Sequence, residues 1–131
     1  MDSINVNTEQ HGNIRISDDV IATIASIATK EVEGISGLSL SIAEELTSKF
    51  VKKIGNKAVK VIENEDELTI DINVVVKYGT RIPDVSWEVQ ENVKKSVESM
   101  TGLNVSKVNI IVSGVDFDNS ETQSGDEKEN Q

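Results

Sequence analysis

Residues 68–78, "LTIDINVVVKY", alternate strictly: Leu68, Ile70, Ile72, Val74, Val76 and Tyr78 fall on one face, and Thr69, Asp71, Asn73 and Lys77 on the other. A helix brings residues three and four apart onto one face, so a period of two over this length specifies a β-strand. One apolar and one polar face specify a sheet covered on one side and wetter on the other. The next segment, "VVVKYGTRIPDVSWEVQ" from residue 74, leaves the alternation at Gly79 and passes the single proline of the chain. It then adopts helical spacing, with Ile82, Val85, Val89, Val93, Ser96, Val97 and Met100 on the inner stripe and a stop at Gly102. At this corner Gly79 relaxes the chain, Thr80 can help cap, Pro83 sits where its missing N–H costs nothing, and Asp84 suits the helix dipole. Arg81 could meet an anion, but no base, nucleophile or metal group accompanies it, so the corner reads as a joint rather than a site.

Upstream, "GNIRIS" predicts a short strand. Ser17 is a natural N-cap, with Asp18 and Asp19 at the positive end of the helix that follows. In that helix Val20, Ile24 and Ile27 join Ile21, Ala25, Ala28 and Val32 in a broad stripe, which predicts a largely buried element. "EGISGLSLS" interrupts with Gly34 and Gly37. A helical period returns over residues 42–54 through Ala43, Leu46, Phe50 and Ile54, and Gly55 ends it. "AVKVI" and the alternating stretch, joined by "ENEDE", predict a hairpin with an acidic tip, and "SKVNIIVSGVDF" predicts a last strand. The order β-α-α-β-β-α-β predicts an α+β, two-layer domain with helices packed on one face of a small mixed sheet. The strands joined through a helix should be parallel.

A chain of 131 residues suits one domain with a sufficient core. The pattern divides it into residues 1–11 as a flexible tail, 12–118 as the domain, and 119–131 as a disordered acidic tail. Net charge is −10, and residues 116–131 supply half of it with six acids and one Lys. No run of residues is long and apolar enough to span a bilayer.

Chemistry has little to draw on. Without Cys there is no thiol nucleophile, disulfide or thiolate zinc site, and His11, the one histidine, lies in the expected tail. "ENEDE" lacks the spacing and glycine of a calcium loop, and "GISG" lacks the Lys-Ser/Thr ending of a phosphate loop. The expectation is no enzyme, no metal and no cofactor. The element order does resemble the KH modules of RNA-binding proteins, in which a Gly-rich loop between helices clamps the nucleic-acid backbone. Here "GISG" follows Glu31 and Glu33 and carries no base, and four aromatics in an acidic chain offer little for stacking. Nucleic acid is therefore the disfavoured alternative.

The pattern I-x-I-S-x-x-V-I from Ile14, the joint E-V-E-G-I-x-G from Glu31, the corner V-x-Y-G-x-x-I-P-x-V from Val76 and the closing V-N-I-x-V-x-G-V from Val108 resemble the alkaline-shock/Gls family of Gram-positive bacteria. The likeness extends over residues 12–117 and leaves both tails outside. It implies a non-enzymatic cytoplasmic protein of cell-envelope or general stress response. Some relatives are held at the membrane by a separate anchor protein, and others are linked to lipid synthesis. No cofactor and no catalytic residue come with the resemblance.

Two features remain as a candidate interaction surface. Residues 46–60 contain Lys49, Lys52, Lys53, Lys57 and Lys60 and no acid, a positive patch suited to an acidic partner or to anionic lipid. Trp87 lies two residues from Val85, about 200° around the helix from the stripe it would join as core, which predicts an exposed ring. The partners expected are a protein, such as a membrane anchor protein, with peripheral membrane association and a homo-oligomer as open alternatives.

Overall fold

A computed structural model describes residues 3–8, 12–39 and 58–117. In chain order they form β1 (Ser3–Thr8), β2 (Gly12–Ser17), α1 (Asp18–Lys30), β3 (Ile35–Leu38), β4 (Val59–Asn64), β5 (Glu67–Lys77), α2 (Ile82–Thr101) and β6 (Asn104–Asp116). The helical stretch expected over residues 42–54, His11 and the tail from residue 119 lie outside the described residues.

The alternating stretch is the centre of the sheet. β5 pairs in parallel with β6 along one edge, the pairing that a helical crossover requires. Its other edge is shared by two antiparallel strands placed end to end, β3 against Val74–Val76 and β4 against Glu67–Ile72. They meet at one residue. The Ser39 N–H donates to the Asn73 carbonyl at 3.1 Å, and the Asn73 N–H donates to the Ala58 carbonyl at 3.0 Å. The chain therefore leaves this edge and rejoins it at Asn73.

Helices cover one face. Leu68, Ile70, Ile72, Val74 and Val76 are buried beneath α1 and α2, whereas Thr69, Asp71, Asn73 and Val75 are half-buried and Lys77 is exposed. α1 packs on β3 and β4, and α2 packs on β6. α2 contributes Val85, Val89, Val93 and Val97, one residue per turn at a constant spacing of four, all buried. Each buried aliphatic side chain contributes about 1.5–3 kcal/mol, so this single valine row accounts for much of the layer-to-layer attraction. α1 contributes Ile21, Ala25 and Ala28. Its buried hydroxyls are satisfied within the helix: Thr29 Oγ1 donates to the Ala25 carbonyl at 2.8 Å and Ser26 Oγ to that of Thr23 at 3.0 Å.

The helix ends follow their sequence signals. Ser17 Oγ accepts from the Val20 N–H at 3.3 Å, and Gly102 closes α2 in the left-handed conformation, its N–H on the Glu98 carbonyl at 2.9 Å. At the corner, Gly79 has φ +92° and Pro83 lies in the first turn. Arg81, rather than Thr80, is the N-cap residue, and its side chain makes no cap bond. Arg81 Nε instead pairs with Asp84 Oδ2 at 3.1 Å, which leaves the corner a joint.

The structure corrects several expectations. Residues 1–11 are not simply a tail, because β1 pairs antiparallel with β2 over Ser3–Thr8 in the register Ile4 to Ile16. "GISG" does not form a loop between helices. Gly34 turns the chain at φ +104°, and Ile35 then enters β3 with its side chain buried. Ser36 Oγ donates to Asp116 Oδ2 at 2.6 Å across the end of β5. Tyr78 does not share the fate of Leu68: it is exposed, with its ring centroid 5.3 Å from that of Phe117, because β5 ends at Lys77 and Tyr78 lies in the turn after it. The helical stripes also assign Val20, Ile27 and Met100 to the core, and all three are exposed instead.

Candidate functional site

The outer surface of the helix layer carries two grooves and a group of exposed apolar side chains. α1 and α2 run in opposite directions, so the end of α1 lies beside the first half of α2. There Asn92 Nδ2 donates to the Ala28 carbonyl at 2.8 Å and to Glu31 Oε1 at 3.1 Å, tying the two helices together. At the opposite end the pair opens into an apolar groove of about 490 Å³ whose lining includes Val20, Ile24, Ile27 and Met100. Val20 is 49% exposed, Ile27 53% and Met100 69%.

The reason is angular. Ile27 lies two residues from Ala25, about 200° around the helix, so a helix that buries Ala25 on the sheet must turn Ile27 outward. Met100 continues the inner stripe of α2, but nothing among the described residues covers it at that end. These are apolar side chains in water, grouped rather than scattered, and such grouping marks contact surfaces.

Beside the Asn92 clamp the same face changes character. A second groove of about 550 Å³ is lined by Glu31, Glu33, Trp87, Glu88 and Glu91, with Lys95 also on its wall. Trp87 is 60% exposed, as its position on the helix predicts. Glu31 borders both grooves, so the two adjoin across the Asn92 clamp. The face is thus apolar at one end and acidic around a tryptophan at the other.

The other side of α2 is tied to β6 by side-chain hydrogen bonds. Gln90 Nε2 donates to the Val108 carbonyl at 2.9 Å, and Lys94 Nζ donates to the Val105 carbonyl at 2.8 Å. Lys94 also meets Glu98 Oε2 at 3.0 Å, and that same oxygen accepts the Val105 N–H at 2.9 Å. These bonds hold the Glu98 carboxyl below the ordinary glutamate pKa, the Val105 N–H first and Lys94 second. They also occupy backbone groups of an outer strand that would otherwise stand open.

Of the sequence-predicted surface, Lys49, Lys52, Lys53 and Lys57 lie outside the described residues. Lys60 is exposed on β4, in register with Asp71, and therefore points from the open face of the sheet. Trp87 stands on the helix layer, so these two candidates face away from each other. Periodicity alone does not reveal the apolar groove, because Val20, Ile27 and Met100 fit the spacing of a core. The usable signal is the breadth of the α1 stripe, wider than one packing surface can cover.

Among the described residues no three His, Cys, Asp or Glu side chains come together as a metal site, and no helix is long and apolar enough to cross a membrane. The chain is 37% identical to YqhY of Bacillus subtilis over 107 residues, 82% of this chain and 79% of that one. It is also 37% identical to YloU of the same organism over 115 residues, 86% and 95% of the two chains. A more distant relative, the stress response regulator gls24 homolog of Streptococcus pyogenes, is 27% identical over 102 residues, 77% of this chain and 57% of that protein. The profile of the alkaline-shock protein family, described as having a cell envelope-related function, matches residues 6–117, and the chain belongs to that family.

Proposed function

We propose that this chain is a non-enzymatic interaction protein of cell-envelope stress response or lipid homeostasis, docking to a partner protein at the cytoplasmic membrane. The observation that carries the reading is the exposed face of the helix layer, where Trp87 and a group of aliphatic side chains stand in solvent without a structural task in the core. Tryptophan is the residue most often found at the energetic centre of protein contacts. The family's envelope-related role supports a cytoplasmic address, peripheral at the inner face of the membrane.

The experiment compares two variants in native cells. Trp87→Ala, on the helix layer, should weaken recovery of the protein with its envelope partner by about 2 kcal/mol, roughly thirtyfold, without loss of folding. Reversal of Lys49, Lys52 and Lys53 to Glu should reduce membrane-fraction recovery at low salt, since each Lys near an anionic surface contributes about 1 kcal/mol. Unchanged recovery in both variants would contradict docking through either surface.

A further inference from the structure

The helix-layer face is specific enough to define what it binds. Resting on the docking reading above, we propose that the two adjoining grooves of the α1–α2 face receive a cationic amphipathic helix of the partner protein. Its apolar side would enter the groove at Ile27 and Met100, and its Lys or Arg residues would lie over the glutamates beside Trp87.

Four observations lead there. The apolar end offers an elongated floor between two helices, and an amphipathic helix laid into such a floor buries anchors at i, i+3, i+4 and i+7. Along α1 the groove runs from Val20 to Glu31, about 16 Å at the helical rise, which accommodates three turns of a partner helix. The acidic end carries Glu31, Glu33, Glu88 and Glu91 against a single Lys95, so the occupant must bring positive charge. Trp87 beside these glutamates adds a ring face on which a Lys or Arg head can lie while the carboxylates neutralise it.

The same charges argue against a second copy and against a membrane surface as the occupant. A second copy docking by this face with the acidic ends together would set glutamates against glutamates across a two-fold axis. An anionic membrane surface would meet the same repulsion, so lipid contact belongs to another face of the molecule.

The test uses the full chain and two synthetic fourteen-residue peptides without tryptophan, one of Leu and Lys at helical spacing and the other with Glu in place of Lys. Trp87 is the only tryptophan of the chain, so its fluorescence reports the acidic end of the groove directly. The Leu/Lys peptide should shift the emission and bind, and the Leu/Glu peptide should not. Ile27→Glu should weaken binding by about tenfold although it makes the face more acidic, whereas indiscriminate attraction of a cation would grow stronger. Glu88→Lys with Glu91→Lys should weaken it comparably. Both variants alter exposed side chains, and their circular dichroism should match the parent.

Equal binding of both peptides, or tighter binding by Ile27→Glu, would overturn the proposal. So would a concentration-dependent dimer in analytical ultracentrifugation that Ile27→Glu abolishes, since that seats a second copy in the groove. If the peptides fail while Trp87→Ala still loses the cellular partner, docking stands and the helical occupant falls.

Discussion

Gly34 shows how a single residue joins two parts of the fold. Its φ of +104° lies where side-chain-bearing residues are strained, and a Cβ there would stand 2.8 Å from Val85 Cγ2 and 3.2 Å from Thr80 Cγ2. The turn after α1 is therefore packed beneath the β5–α2 corner, and "GISG" owes its first glycine to that approach rather than to phosphate. Gly34→Ala should destabilise the chain by about 2–3 kcal/mol, combining backbone strain with overpacking, seen as a lower urea midpoint at unchanged slope. Gly37, where an added Cβ would meet nothing within 4 Å, should tolerate alanine far better. The sequence makes both glycines visible and cannot rank them, because the contact that separates them joins segments far apart along the chain. Trp87 is legible for the opposite reason: its angle to Val85 is a local quantity.

Among the elements, β5, α2 and β6 are readable because each has a strong period and a turn signal at its end. β3 is not, since two glycines in a short segment erase the alternation and only pairing with Val74–Val76 makes it a strand. β1 is short and polar on one side, and it becomes a strand because β2 supplies the pairing that residues 3–8 need. The connection from α2 into β6 depends on Glu98. Its carboxylate accepts from the Val105 N–H and from Lys94, and its pKa is lowered by those bonds. A lowered folded-state pKa contributes stability above the ordinary glutamate range, and that contribution is lost as pH falls through the lowered value. Glu98→Gln keeps an acceptor but not the charge, so it should cost about 1 kcal/mol at neutral pH. The gap between parent and variant should close on acidification, as denaturation at a series of pH values would reveal. A gap that persists into acid would assign the loss to packing.

At the scale of the molecule, the two-layer arrangement divides the surface into unlike halves. The open sheet face is mixed, with Lys60 in register with Asp71, Asn109 Nδ2 donating to Asp71 Oδ1 at 2.8 Å, and Ile62 and Ile111 exposed among them. The helix face carries an excess of glutamates and exposed apolar side chains. The layer architecture is legible in the periods. The unlike character of the two faces is not, because it depends on which edge of each helix stripe the sheet leaves uncovered. On the proposed function, the helix layer and not the sheet meets the partner. That reading is tested most directly by placing a photo-crosslinking amino acid at Ile27 or at Lys60, one on each face of the molecule, in native cells. Ile27 should crosslink to a protein of the envelope fraction through a segment that mass spectrometry identifies as cationic and amphipathic, while Lys60 should yield little. Crosslinks concentrated at Lys60, with none from Ile27, would contradict it.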